Sequence, residues 1–81
     1  MKNFLFDMRE FDIEKAKAGA SVITRGNEPV DIIAYDNDAD PFYPIIANIF
    51  RDTGKVETCF FTQAGHWSCW TESQDDLMLA N

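Results

Sequence analysis

Two glycine turns in the C-terminal half constrain this chain more than any other feature. Asp52-Thr53-Gly54 and Gln63-Ala64-Gly65 separate three runs of β-branched, aromatic and small residues, at 44–50, 55–62 and 66–71. Glycine reaches positive φ at no steric cost, so a turn triplet ending in Gly between such runs predicts a hairpin. Three-residue loops then set the register. Thr62 pairs with His66, Phe61 with Trp67, Cys59 with Cys69, Arg51 with Lys55, Phe50 with Val56 and Ile46 with Phe60.

Strand side chains alternate between faces, so this register sorts the residues. One face carries Ile45, Ala47, Ile49, Cys59, Phe61, Trp67 and Cys69, with Glu57 its only charge, and reads as a core. The other mixes apolar and small polar side chains: Ile46, Asn48, Phe50, Val56, Thr58, Phe60, Thr62, His66, Ser68 and Trp70. A short chain needs every large side chain for stability, so the second face is expected to be covered by the helix and the first hairpin. Left uncovered, Ile46, Phe60 and Trp70 would form an apolar partner surface.

Upstream, Asp12 is a good N-cap, 13–18 are mostly helix formers, and Gly19 stands where a left-handed C-cap is expected, which predicts a short helix over 11–19. After it the period changes. Residues 21–24 are strand-like, 25–28 form a turn, 29–35 are strand-like with Pro29 at the first position, and 36–41 form an acidic loop. The expected fold class is α+β, mainly β: a short N-terminal helix followed by a five- or six-stranded antiparallel meander forming a small barrel or roll. With 81 residues the chain holds one domain, read as an extension at 1–10, the helix at 11–19, the β-meander at 21–73 and a tail at 74–81 that is a short edge strand or frays.

Fourteen acids against seven bases give a net charge of −7, which opposes binding nucleic acid through its phosphates. No apolar run approaches the roughly 20 residues that cross a bilayer. The apolar run near Met1 is too short for a signal-peptide core, so the expected location is cytoplasmic. There Cys59 and Cys69 would stay reduced.

No residue pattern supplies a catalytic, metal or cofactor site. Cys59, His66 and Cys69 lack the paired spacing of zinc arms, and alternation turns His66 away from both thiols, which also removes a Cys–His nucleophile pair. Asp36, Asp38 and Asp40 imitate the start of an EF-hand loop, but Pro41 and Ala47 stand where that loop needs Gly and Glu. Phosphate-binding glycine loops and nucleophile elbows are absent.

The stretch 11–26, FDIEKAKAGASVITRG, resembles the opening of a group of small uncharacterised proteins from gut Bacteroidales bacteria, their phages and mobile elements. Thr24-Arg25-Gly26, Pro44-Ile45 and Asp76-Leu77-Met78 match further elements of that group, closely over 11–35 and loosely beyond. The resemblance implies a phage or mobile-element setting, hence a host cytoplasm, and assigns no site. The expected function is a non-enzymatic protein-interaction module, an accessory protein contacting another protein through Ile46, Phe60, His66 and Trp70 and through Asp36, Asp38 and Asp40, with self-association open to it. The alternative is an acidic inhibitor that mimics nucleic acid and blocks a nucleic-acid-binding host protein.

Overall fold

In the computed structural model, residues 9–68 and 70–80 are described. They form β1 (Arg9–Glu10), α1 (Ile13–Lys17), β2 (Val22–Thr24), β3 (Val30–Ala34), β4 (Ile45–Phe50), β5 (Val56–Phe61) and β6 (Leu77–Leu79). These strands make two three-stranded antiparallel sheets, in the orders β1-β6-β2 and β3-β4-β5.

The expected meander barrel therefore does not form, and the expected helix over 11–19 is cut to little more than one turn. Asp12 does cap a helix, its carboxylate accepting the amide protons of Glu14 (3.0 Å) and Lys15 (3.3 Å). That helix runs only five residues and is a connector rather than a layer. β6 lies in the stretch expected as a tail. Instead of fraying or taking an edge, it is the central strand of its sheet, Leu79 facing both Arg9 and Val22. The two sheets meet at an isolated bridge between Ile23 and Pro29 without closing a barrel.

The second correction concerns 66–71, expected to be a strand. The Gln63-Ala64-Gly65 turn closes as predicted, the Thr62 amide donating to the His66 carbonyl at 2.9 Å, but among the described residues no further strand pairing follows. The Trp67 amide, 2.8 Å from the Asp76 carboxylate, donates to that side chain instead of to a neighbouring strand. Trp67 is accordingly 48% exposed and not a core residue. The predicted Cys59–Cys69 pairing lies outside the described residues.

The β4–β5 ladder has the predicted register: Ile46 faces Phe60, Phe50 faces Val56, and the Arg51 amide donates to the Lys55 carbonyl at 2.8 Å. Gly54, at φ +90°, makes the intervening turn. The core is the inner face of this sheet, Ile45, Ala47, Ile49 and Phe61, closed by Leu77 and flanked by Phe11, Ile13, Val22, Val30 and Ile32. Full burial of a side chain such as Ile45 or Phe61 contributes about 1.5–3 kcal/mol. Phe11 lies directly on Gly65, whose φ is +87°; a Cβ there would stand 2.7 Å from the Phe11 ring.

Two charged clusters hold the sheets in relation to each other. Arg51, at the end of β4, donates to Glu28 (2.8 Å), to Glu57, and to both carboxylate oxygens of Asp75 (2.8 and 3.0 Å). It thereby ties the β2–β3 loop, β5 and the approach to β6 to one guanidinium, which those carboxylates hold above its ordinary pKa. Asp76, wholly buried, accepts from the Trp67 and Ser73 amides (2.8 and 3.1 Å), with Arg25 at 3.4 Å and the His66 Nδ1 at 3.5 Å.

Candidate functional site

The outer face of the β3-β4-β5 sheet is the main apolar surface of the described chain, and no described element covers it. Cross-strand pairing arranges it in rows. Phe50 and Val56 form one row; Asp31, Asn48 and Thr58 form the next; Ile46 and Phe60, with the end of β3, form the third. The third row is widened by a bulge, in which Ile33 and Ala34 together occupy the space opposite Ile46. Phe60 is 49% exposed, and Ile33, Phe50 and Val56 are exposed as well. A cover was expected over this face, and the structure corrects that. The reason is topological: β1, β2 and β6, with the helix, pack toward the inner face through Phe11, Ile13, Val22 and Leu77, which leaves no described element for the outer one.

In the polar middle row the Thr58 hydroxyl donates to the Asn48 side-chain oxygen at 2.7 Å. The face thus presents two apolar bars separated by a polar one.

The other sequence-predicted residues lie in two further places. His66 and Trp70 have left the sheet with the 66–71 segment and line a shallow recess with Ser68, Thr71 and Glu72. Trp70 is 90% exposed. Asp36, Asp38 and Asp40 are all exposed in the β3–β4 loop, where Asp40 caps its own turn by accepting the Phe42 amide at 3.1 Å. Asp36 and Asp38 help line an open cleft of about 390 Å³ with Ile13, Lys17 and Tyr35, and the Lys17 ammonium sits 5.5 Å from the centre of the Tyr35 ring. Of the seven predicted contact residues, then, only Ile46 and Phe60 are directly opposed across strands.

Sequence reasoning missed Ile33. Strict alternation turns it to the same side as Asp31, but the register set by the glycine turns extends only to β4 and β5. It also missed Asp76, whose role depends on where residues 66–75 travel after leaving the sheet. Among the described residues, no group of three or more His, Cys, Asp and Glu side chains is placed to hold a metal ion. Nor is any described helix long and apolar enough to cross a membrane. Burial pushes the Cys59 thiol up, with Arg51 pulling the other way, so it is a poor nucleophile at neutral pH.

No protein-family model matches the chain, and neither a curated protein nor a solved structure matches it.

Proposed function

We propose that this chain is a small non-enzymatic interaction module that binds another protein through the outer face of the β3-β4-β5 sheet. The observation that carries the reading is the exposed set Ile33, Phe50, Val56 and Phe60, with Ile46 half-buried among them, left uncovered by every described element on a sheet whose other side is the core. A rigid sheet presents such side chains at little ordering cost, and exposed apolar patches of this kind mark interaction sites. The accessory role in a phage or mobile element, in a host cytoplasm, rests on the resemblance over 11–35.

The acidic-mimic reading draws support from a different observation. Asp36, Asp38 and Asp40 are all exposed in one loop of a chain whose net charge is −7. The two readings separate in one capture experiment with immobilised protein and host lysate. An apolar interface predicts that Phe50→Ser/Phe60→Ser lowers capture of the partner at least about tenfold, while Asp36→Asn/Asp38→Asn/Asp40→Asn leaves it unchanged and added salt changes it little. The opposite pattern would replace the first reading with the second.

A further inference from the structure

The same sheet has an open edge. β3 is flanked on its outer side by the Ile23–Pro29 bridge, whereas β5 ends the sheet, and no described residue pairs with its outer side. Antiparallel ladders alternate, each residue bonding to one neighbour or the other. Arg51 bonds to Lys55 and Phe50 bonds back toward Pro29, so Glu57, Cys59 and Phe61 bond inward to β4. The backbone groups of Val56, Thr58 and Phe60 therefore point outward. Val56, Thr58 and Phe60 include no proline and no charge, and the β4–β5 register is continuous, without a bulge; the one charge of β5, Glu57, lies on the core side and is held by Arg51.

We infer that β5 pairs antiparallel with β5 of a second copy about a two-fold axis at Thr58, forming a continuous six-stranded sheet. The register follows from three requirements. Only outward-bonding residues can pair with one another, which leaves Thr58 opposite Thr58, Val56 opposite Thr58, or Thr58 opposite Phe60 as centres with substantial overlap. Placing Val56 opposite Thr58 would set Glu57 directly against Glu57, a like-charge pair that costs stability. Centring on Thr58 instead sets Val56 against Phe60 twice and engages all three outward residues, each pair exchanging two backbone bonds.

It also aligns the outer face. The Phe50–Val56 row of one copy runs into the Phe60–Ile46 row of the other, and the Asn48–Thr58 rows meet end to end. Thr–Thr and aromatic–β-branched pairs are favourable across strands. No other centre keeps the apolar and polar bars continuous. The occupant of this edge is thus a second copy, because the chain is complementary to itself there. The contact uses the edge of the strand rather than its face, so this inference and the proposed function fail separately. Each copy carries −7, so association should strengthen as salt rises, opposite to an ion-paired interface.

Sedimentation of the full chain from micromolar to millimolar concentration, with amide hydrogen exchange followed in parallel, tests this. The expected result is a mass rising from 9.3 kDa to twice that value, with exchange of the Val56, Thr58 and Phe60 amides slowing at least about tenfold as dimer forms. In a Cys59→Ser/Cys69→Ser background, Thr58→Cys should cross-link to itself on oxidation, since paired strand residues lie about 5.5 Å apart at Cα, while Asp31→Cys, two strands inward, should not. A monomer at millimolar concentration overturns the inference. So does a dimer whose three edge amides exchange as fast as in the monomer, or one that cross-links through Asp31→Cys and not Thr58→Cys.

Discussion

Replacing Asp76 by alanine should cost this fold a large share of its stability. The carboxylate is wholly buried and accepts two backbone amides, from Trp67 at 2.8 Å and Ser73 at 3.1 Å. Hydrogen bonds to a charged group contribute about 1.5–3 kcal/mol each, and deletion leaves both donors and the Arg25 guanidinium without their acceptor, so about 3–5 kcal/mol should be lost. A domain of 81 residues has about 4–12 kcal/mol in total. Asp76→Asn keeps one oxygen to accept an amide and should lose about 1–3 kcal/mol. Urea denaturation at pH 7, with hydrogen exchange of the Trp67 amide as a local probe, measures both. The pH dependence has a definite sign. Burial alone pushes the Asp76 carboxyl up, but the Trp67 and Ser73 amides and His66 pull it further down, leaving it below its ordinary value. A group depressed in the folded state stabilises above its unfolded pKa of about 3.9 and loses that contribution as pH falls through the lower folded value. Asp76→Ala should therefore flatten the acid limb of the stability curve. A loss under about 1 kcal/mol, or an unchanged acid limb, would refute the assignment of Asp76 as the anchor of residues 66–76.

Other substitutions probe the remaining structure. Gly65→Ala combines a left-handed backbone with a Cβ 2.7 Å from the Phe11 ring and should cost about 2–4 kcal/mol in thermal or urea unfolding. Arg51→Met removes the shared partner of Glu28, Glu57 and Asp75; because these side chains are partly solvated, about 1–3 kcal/mol should be lost, shrinking in high salt. Phe60→Ser lies on the uncovered face and should change stability by no more than about 0.5 kcal/mol, whereas Phe61→Ser, on the core side, should cost at least about 3 kcal/mol. In a Cys69→Ser background, alkylation of Cys59 should be slow at pH 7 and accelerate only at more alkaline pH than for a free thiol, as burial pushes that thiol up.

The β4–β5 hairpin was legible because two local signals agreed. The Gly54 turn fixed the loop length, and strict alternation through Ile45, Ala47, Ile49 and Phe61 fixed the inward face, so pairing followed residue by residue. The same reasoning failed one turn later. Gln63-Ala64-Gly65 forms its turn, yet whether Trp67 continues a ladder is decided by Asp76, ten residues beyond Trp67's neighbour His66, and no period in the sequence reports a carboxylate bonding to a distant amide. Leu77-Met78-Leu79 is too short to display alternation and so reads as a tail, although the pairing of β6 with both β1 and β2 makes it central. The helix signal at 11–19 was genuine at Asp12 but overstated in length, since helical residues stop at Lys17. For the candidate site, Ile46 and Phe60 were readable from register alone. That they stand uncovered was not, because the covering of a sheet face depends on which side the remaining elements choose.

Hydroxyl-radical footprinting of the free chain at low micromolar concentration tests most directly whether the β3-β4-β5 sheet has an open apolar face. Phe50 and Phe60 should be oxidised readily and Phe61, the next residue along, hardly at all, with Phe60 becoming protected when a captured partner is bound. Protection of Phe60 equal to that of Phe61 in the free protein would mean that something covers the face, and the proposed binding surface would be lost.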